Sequence, residues 1–398
     1  MKAKYFSLYI LFIHICIAGC QKSGTYREFV HESKPKSYSI DLGKCDTLDF
    51  SQYYQLKSFI RLSDSLSIGE VTSIRSTLDR IFILTDSKRS SVLIIDRKGA
   101  LINKLEQSEG NPNSVSYLGS VQFIYFDENL HQLEVLDRSN KKILIFDQNG
   151  EFLSSFQIPL QVISFDKISD DVYLFNCGNE LNGAIKEKLV IFDKKSGKPT
   201  DSFLKIEYNR SKYLLLVDLM NFDHHADGIY YTEAFTDTIF FVNKTSRAIE
   251  PAYILDFGPN KLPISYYSQG FSNIADFLSK PRNSNYAFLL SGWYNLEKQI
   301  LTSIEIKSKR MHILLNENSS RVGCYYKNYI LDSGIVPTSF ETLPISINNN
   351  SKEAFFVHYP GDLLNLQEKY GSLTLNNQSV MDGLKITDNP IIGIYTVK

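Results

Sequence analysis

Ile81-Phe82-Ile83-Leu84-Thr85-Asp86, leading to Val92-Leu93-Ile94-Ile95-Asp96, returns 51 residues later as Leu133-Glu134-Val135-Leu136-Asp137 leading to Ile143-Leu144-Ile145-Phe146-Asp147. The two copies superpose without a gap: an acidic residue ends one apolar run, and an Asp ends the next ten positions on. Ile229-Tyr230-Tyr231-Thr232-Glu233 to Ile239-Phe240-Phe241-Val242-Asn243 keeps the ten-residue step. Val172-Tyr173-Leu174-Phe175 with Leu189-Val190-Ile191-Phe192-Asp193 fills the interval through a longer hairpin, so the anchors Asp96, Asp147, Asp193 and Asn243 stand 51, 46 and 50 residues apart.

The residue types say what each run is. β-Branched and aromatic residues fit a pleated, half-buried surface, while Asp and Gly supply the local hydrogen bond and positive φ of a tight turn. Asp96-Arg97-Lys98-Gly99, Asp147-Gln148-Asn149-Gly150 and Asp193-Lys194-Lys195-Ser196-Gly197 are such turns, and after two of them the chain returns as a further strand. Four short strands per period of about fifty residues is the arithmetic of a propeller blade. The fold class is therefore all-β, a β-propeller. A β-sandwich also has short strands at regular spacing, but gives no reason for a fixed Asp-to-Asp step.

Later copies are degenerate. Tyr286–Leu290, Ile300–Ile306 and Met311–Leu315 read as a fifth blade; Ala354–Tyr359 and Pro390–Val397 read as a sixth. Ring closure removes exposed sheet edges, and Ser58-Phe59-Ile60-Arg61-Leu62 is the candidate N-terminal strand to pair with the C-terminal one. Six blades fit best, with five or seven open. Helix is scarce: Asn273–Ser279 is the one helical patch, inside a polar connection from Lys261 to Asn285 that is long enough to suggest a function of its own.

Lys2 and Lys4 precede an apolar run from Tyr5 to Ile17 and then Ala18-Gly19-Cys20. That pattern reads as a secretory signal peptide over residues 1–19, too short for a span of about 20 apolar residues. Ile17-Ala18-Gly19-Cys20 also resembles the bacterial lipobox. The resemblance implies that Cys20 is lipidated and that the chain is anchored to the membrane through an N-terminal lipid. Gln21 rather than Asp after the cysteine implies the outer membrane, with the periplasmic or surface side left open. Residues 20–38 then read as the lipidated cysteine and a flexible tether, and 39–398 as the propeller.

Cys45, Cys177 and Cys324 remain after processing; three cannot all pair, one disulfide is open, and buried small hydrophobes are the favoured reading. The 43 basic and 44 acidic residues make no basic field that would draw the chain to nucleic acid.

Three candidate sites follow. Trp293 and Tyr294, in Ser291-Gly292-Trp293-Tyr294-Asn295 between strands of the fifth blade, are read as a pair that stacks on a sugar or peptide side chain. Asp86, Asp137 and Glu233, equivalent in the repeat, come to one end of the ring and are read as an acidic channel mouth for a cation or basic ligand. Asp223-His224-His225-Ala226-Asp227 is the densest set of metal-ligating residue types, but neighbours on a strand face opposite ways, so it reads as a polar turn with no metal. The chain carries no nucleophile elbow, phosphate loop or His-Glu-x-x-His signature, and no cofactor is expected.

From Ser58 onward the chain resembles the six-bladed β-propeller lipoproteins common in Bacteroidetes, related in pattern to NHL-repeat proteins. The residues that carry this are Ser65–Val71, the Asp-x-x-Gly turns, Thr236-Asp237-Thr238-Ile239-Phe240 with Leu255-Asp256-Phe257-Gly258, and Asp388-Asn389-Pro390. Gly110-Asn111-Pro112-Asn113 stands where that family often has Gly-x-Gly-Pro. The resemblance implies the fold and an envelope location. The resulting expectation is a lipid-anchored extracytoplasmic module that binds a glycan, peptide or envelope protein. The alternative is a lyase or hydrolase with carboxylates or a metal in the channel.

Overall fold

The computed structural model describes residues 34–63, 66, 68–86, 90–107, 109, 114, 116–206, 221–296, 299–327, 344–370 and 381–398. The signal-peptide segment, Cys20 and the Gly110–Asn113 stretch lie outside the described residues.

Six antiparallel sheets form a six-bladed β-propeller. Blade 1 runs Glu70–Ser76, Arg80–Asp86, Ser91–Asp96, Leu101–Leu105 from the axis outward; blade 2 is Val121–Asp127, Gln132–Asp137, Lys142–Asp147, Phe152–Gln157. Blade 3 is Ser164–Ser169, Val172–Asn176, Glu187–Asp193, Lys198–Lys205, and blade 4 is Phe222–His224, Gly228–Tyr231, Thr238–Asn243, Ile249–Asp256. Blade 5 is Phe288–Leu296, Gln299–Ile306, Lys309–Leu315, Ser320–Lys327. Blade 6 takes Ser346–Asn348, Glu353–His358 and Ile391–Val397 from the C-terminal part and Tyr54–Arg61 as its outer strand.

The Asp turns hold as their chemistry demands. Asp96 Oδ1 accepts from the amides of Lys98 and Ala100, both at 2.8 Å, and Asp147 repeats this with Asn149 and Glu151 at 2.9 and 2.8 Å. Gly99 has φ +90°, and a Cβ there would meet Ile60 at 2.7 Å, so both backbone and space require glycine. Between the turns, the second and third strands of blades 1 to 3 are buried on both faces and form apolar layers between blades, such as Phe82, Ile94, Leu133 and Leu144 between blades 1 and 2.

Closure occurs where expected, with Arg61 to Tyr54 paired antiparallel against Ile391 to Val397. The Asp388-Asn389-Pro390 piece is its clasp. Asp388 pairs with Arg61 at 2.7 Å, and Asn389 Nδ2 donates to the carbonyls of Ser63 and Leu66, each at 2.7 Å.

Two shorter strands upstream were not anticipated. Lys36–Ser39 adds parallel to the outer edge of blade 4, and Asp46–Asp49 adds parallel to that of blade 5. The N-terminal segment is thus a strap that passes over the rims of blades 4 and 5 before completing blade 6. Residues 36–38, expected at the end of the tether, belong to the ring: Tyr38 is buried and donates to the Asn316 carbonyl at 2.8 Å. Cys45, just ahead of the second strap strand, is disulfide-bonded to Cys324 of blade 5, so the buried-thiol reading fails for these two and holds for Cys177, whose thiol burial pushes up to about 12.

The Lys261–Asn285 connection is shorter in irregular chain than it reads. Helices Ile264–Tyr267 and Ile274–Arg282, the latter capped by Asn273 Oδ1 accepting from the Asp276 amide at 2.9 Å, bury Tyr266, Tyr267, Phe277 and Leu278 against Leu262 and Phe288. Its apolar content gives it a packing role. A third helix, Pro360–Tyr370, inserts between the second and third strands of blade 6. No helix among the described residues is long and apolar enough to cross a membrane.

Candidate functional site

The innermost strand of every blade contributes to one cavity of about 780 Å³ on the axis, at the end of the ring where those strands finish. Its wall includes Arg75 from blade 1, Tyr125 and Asp127 from blade 2, Asp166 and Lys167 from blade 3, Asp223 and His224 from blade 4, Trp293 and Asn295 from blade 5, and Asn348 to Asn350 from blade 6. The strand alternation that packs one side of each inner strand between blades turns the other toward the axis, where polar side chains need no apolar partner.

Asp166 is buried. His224 Nδ1 donates to its Oδ1 at 2.7 Å, and the Lys167 amide donates to the same oxygen at 2.6 Å. Lys244 Nζ lies 2.8 Å from His224 Nε2 and donates to the His225 carbonyl at 2.6 Å, and an imidazole protonated on Nδ1 meets both Asp166 and Lys244. Burial works against a charge on His224, yet the Asp166 carboxylate outweighs it and raises the imidazole above its ordinary value. His225 turns the other way, to Asp223 at 2.8 Å, and that bond raises its pKa. The two histidines do not converge, and among the described residues no group of three His, Cys, Asp or Glu side chains is disposed to hold a metal ion.

Beside this pair, Lys167 spans blades 2 and 3, donating to Asp127 and, at 2.8 Å, to Glu134. Burial alone would discharge Lys167, but the two carboxylates outweigh it and hold the ammonium charged; burial leaves Glu134 above the usual carboxylate range. Removing one member of such a buried set strands the others. Lys167→Met is expected to cost about 3–5 kcal/mol in denaturant unfolding, whereas Lys195→Met, in the exposed pair with Asp171, is expected to leave the midpoint essentially unchanged. Equal midpoints for the two variants would show that the triad contributes nothing special.

Arg75 and Tyr125 complete the floor. The Arg75 guanidinium stacks over the Phe123 ring at 5.5 Å and donates once, to the Ile74 carbonyl at 2.9 Å. Burial lowers its pKa, and Asp166, Tyr125 and Tyr294 counter that in part. Burial first, then the carboxylates of Asp166, Asp127 and Glu134, push the Tyr125 hydroxyl far up, so it stays a neutral donor. Over the opening, the Asn348–Asn350 turn of blade 6 reaches across the axis. Asn348 Nδ2 donates to the Ser76 carbonyl at 3.0 Å and to Glu128 at 3.2 Å, and Asn349 Nδ2 to Asp223 at 3.4 Å.

The residues singled out from sequence have other positions. Trp293 and Tyr294 lie within the innermost strand of blade 5, at a bulge where Gly292 takes φ +67°, and are 3% and 7% exposed. Trp293 packs on Tyr253 at 5.2 Å, and Tyr294 donates to the Pro344 carbonyl at 2.7 Å. They border the cavity as wall, and an exposed stacking pair on a loop is not what the strand provides. Asp86, Asp137 and Glu233 follow second strands, so they sit at the end of the ring opposite the cavity. Asp137 is fully buried and accepts from the amides of Gly119, Ser120 and Asn140 and the side chains of Ser139 and Asn140. Glu233 pairs with Lys188, and Asp86 is exposed. No acidic mouth forms from these three.

Sequence reasoning missed Arg75, Tyr125 and Asp166. The one trace of them in the sequence is spacing: Ile74-Arg75 and Ile124-Tyr125 are 50 residues apart, one period.

None of the curated proteins compared with the chain matches it. Among solved structures, it is similar to a "Putative exported protein" of Bacteroides fragilis at 16% identity and a TM-score of 0.69, over 92% of this chain and 100% of that one. It also aligns with a member of the duf4221 family from Bacteroides vulgatus at 8% identity and a TM-score of 0.48, over 87% and 98% of the two chains. The first of these likenesses shows a shared fold. A family model matches residues 37–396, nearly the whole described ring, and the chain belongs to that family, the domain of unknown function DUF4934.

Proposed function

We propose that this protein is an exported binding module whose ligand sits in the axial cavity. The observation that carries the reading is that all six innermost strands bring polar or aromatic side chains to one cavity of about 780 Å³, within the range of about 300–1,000 Å³ for small-ligand sites. Glycans and short peptides are the ligand classes such a lining suits. The seat is the end with Arg75, Tyr125, Asp166 and His224 rather than the Asp86 end.

Thermal unfolding against panels of oligosaccharides and peptides tests this, since a ligand at a hundredfold excess over its Kd stabilises by about 2.7 kcal/mol. Asn349→Trp, which fills the opening, is expected to abolish the shift, and Asp86→Asn at the other end to leave it intact. The reverse pattern would overturn the placement.

The lipobox-like Ile17–Cys20 supports an outer-membrane lipoprotein anchored through Cys20. Metabolic labelling with palmitate should mark the wild type and not Cys20→Ser, which should leave the membrane fraction; equal labelling would remove the anchor.

A second reading, a lyase or hydrolase, is favoured by the 2.7 Å Asp166–His224 bond beside a neutral tyrosine. A carboxylate-oriented imidazole is the arrangement of a general base. Under that reading His224→Gln keeps ligand binding and loses turnover; binding with no turnover in the wild type leaves the module reading alone.

A further inference from the structure

Resting on the channel reading, we propose that the ligand is an acidic sugar, with a carboxylate received by Arg75 and Tyr125 and hydroxyl groups received by the amides and hydroxyls around them. Arg75 carries the inference. A guanidinium has five N–H donors in a fork that matches a carboxylate, and this one uses a single donor, on a neighbouring backbone carbonyl. Among the described residues no carboxylate lies within ion-pair distance of it. Elsewhere in the same molecule the pattern differs: Arg61, Arg97 and Arg138 meet Asp388, Glu353 and Glu180. A partly desolvated cation that makes no ion pair is costly to keep, and a ligand carboxylate that pairs with it recovers that cost on binding.

The surroundings specify where the charge goes. Asp166, the carboxylate that faces Arg75, is already engaged by His224 and the Lys167 amide. Tyr125, beside both, is a neutral donor that can share a bound carboxylate with Arg75. The rest of the wall presents Ser73, Asn295, Asn349 and Asn350, groups that pair with hydroxyls, while the Phe123 and Trp293 rings are packed behind them at 2% and 3% exposure. Scattered side-chain amides and small hydroxyls suit the hydroxyl-lined edge of a pyranose better than a peptide backbone, which asks for strand-like pairing.

The test is calorimetric titration of the full protein with trigalacturonate and with neutral galactotriose, for wild type, Arg75→Lys and Arg75→Met, with circular dichroism and unfolding midpoints confirming that each variant folds. The expected result is at least tenfold preference for the acidic trisaccharide, reduced in Arg75→Lys because an ammonium lacks the fork, and lost in Arg75→Met without weakening of neutral-sugar binding. Equal affinity for both sugars, unchanged in Arg75→Met, overturns the inference while leaving the channel reading in place. Triglutamate binding more tightly than either sugar retains the carboxylate at Arg75 and overturns the sugar. Binding of either sugar that survives Asn349→Trp unchanged removes the channel reading, and absence of any binding overturns the acidic-sugar inference.

Discussion

Between pH 7.5 and pH 4 the ring is expected to lose about 6 kcal/mol of stability through two histidines alone. His312, on the third strand of blade 5, and His358, at the end of the second strand of blade 6, are 0% and 4% exposed. Burial lowers their pKa values from 6.5 to about 3 and about 4. Each imidazole is therefore neutral in the fold over a range where it is charged in the unfolded chain. As pH falls below about 6.5 the unfolded state binds protons the folded state refuses, so stability drops with falling pH and levels only near the folded values. At about 1.36 kcal/mol per pKa unit, the two groups together give a slope of about 2.7 kcal/mol per pH unit between pH 6 and 4.5. The check is denaturant unfolding across that range in wild type and in His312→Leu/His358→Leu. Carboxylates contribute equally to both proteins, so the difference isolates the histidines, and parallel curves would refute the assignment.

Breaking the Cys45–Cys324 bond is expected to cost about 5–6 kcal/mol at neutral pH on the chain-entropy account, because the loop it closes spans 279 residues. The bond joins the strap to the fourth strand of blade 5 where Asp46 pairs with Gly323. It therefore holds a four-residue parallel strand that could not persist on its own ladder alone. Cys45→Ser/Cys324→Ser should unfold at lower denaturant than wild type, and reductant should move only the wild type. Release of the strap in the variant would be read as fast amide exchange at Thr47 and Leu48. A double variant within about 1 kcal/mol of wild type would mean the unfolded chain gains little from the missing link.

The ring was legible because its information is local. Asp96, Asp147 and Asp193 each order a turn within four residues, so the same chemistry recurs at the same step and can be counted. The strap was not legible for the opposite reason. Lys36–Ser39 and Asp46–Asp49 are short and mostly polar, and their partners Tyr253–Asp256 and Gly323–Lys327 are more than two hundred residues away. The helix Pro360–Tyr370 hid in what reads as an ordinary connection. The cavity suffers from the same distance. Arg75, Tyr125, Asp166 and His224 come one from each of four consecutive blades, and apart from the one-period step between Arg75 and Tyr125 nothing near any of them in sequence marks it as different from a solvent-facing strand residue. Trp293 drew attention by rarity, and rarity proved to be a matter of filling the gap between blades 4 and 5, where Tyr230 and Tyr253 meet it.

The strap also inverts the order of manufacture and completion. Residues 36–61 are synthesised before any blade, yet their partners lie at 253–256, 323–327 and 391–397. Each of these early segments thus waits for a rim made much later, and Tyr54–Arg61 waits the longest, for Ile391–Val397. A chain that stops short of Ile391 does not yield a smaller ring. It leaves Tyr54–Arg61 with no ladder to join and blade 6 with no outer half, an open edge of the kind that recruits other chains. Synthesis through this strand is in this way checked by the sheet itself, since only a chain that has reached Ile391–Val397 can pair Tyr54–Arg61.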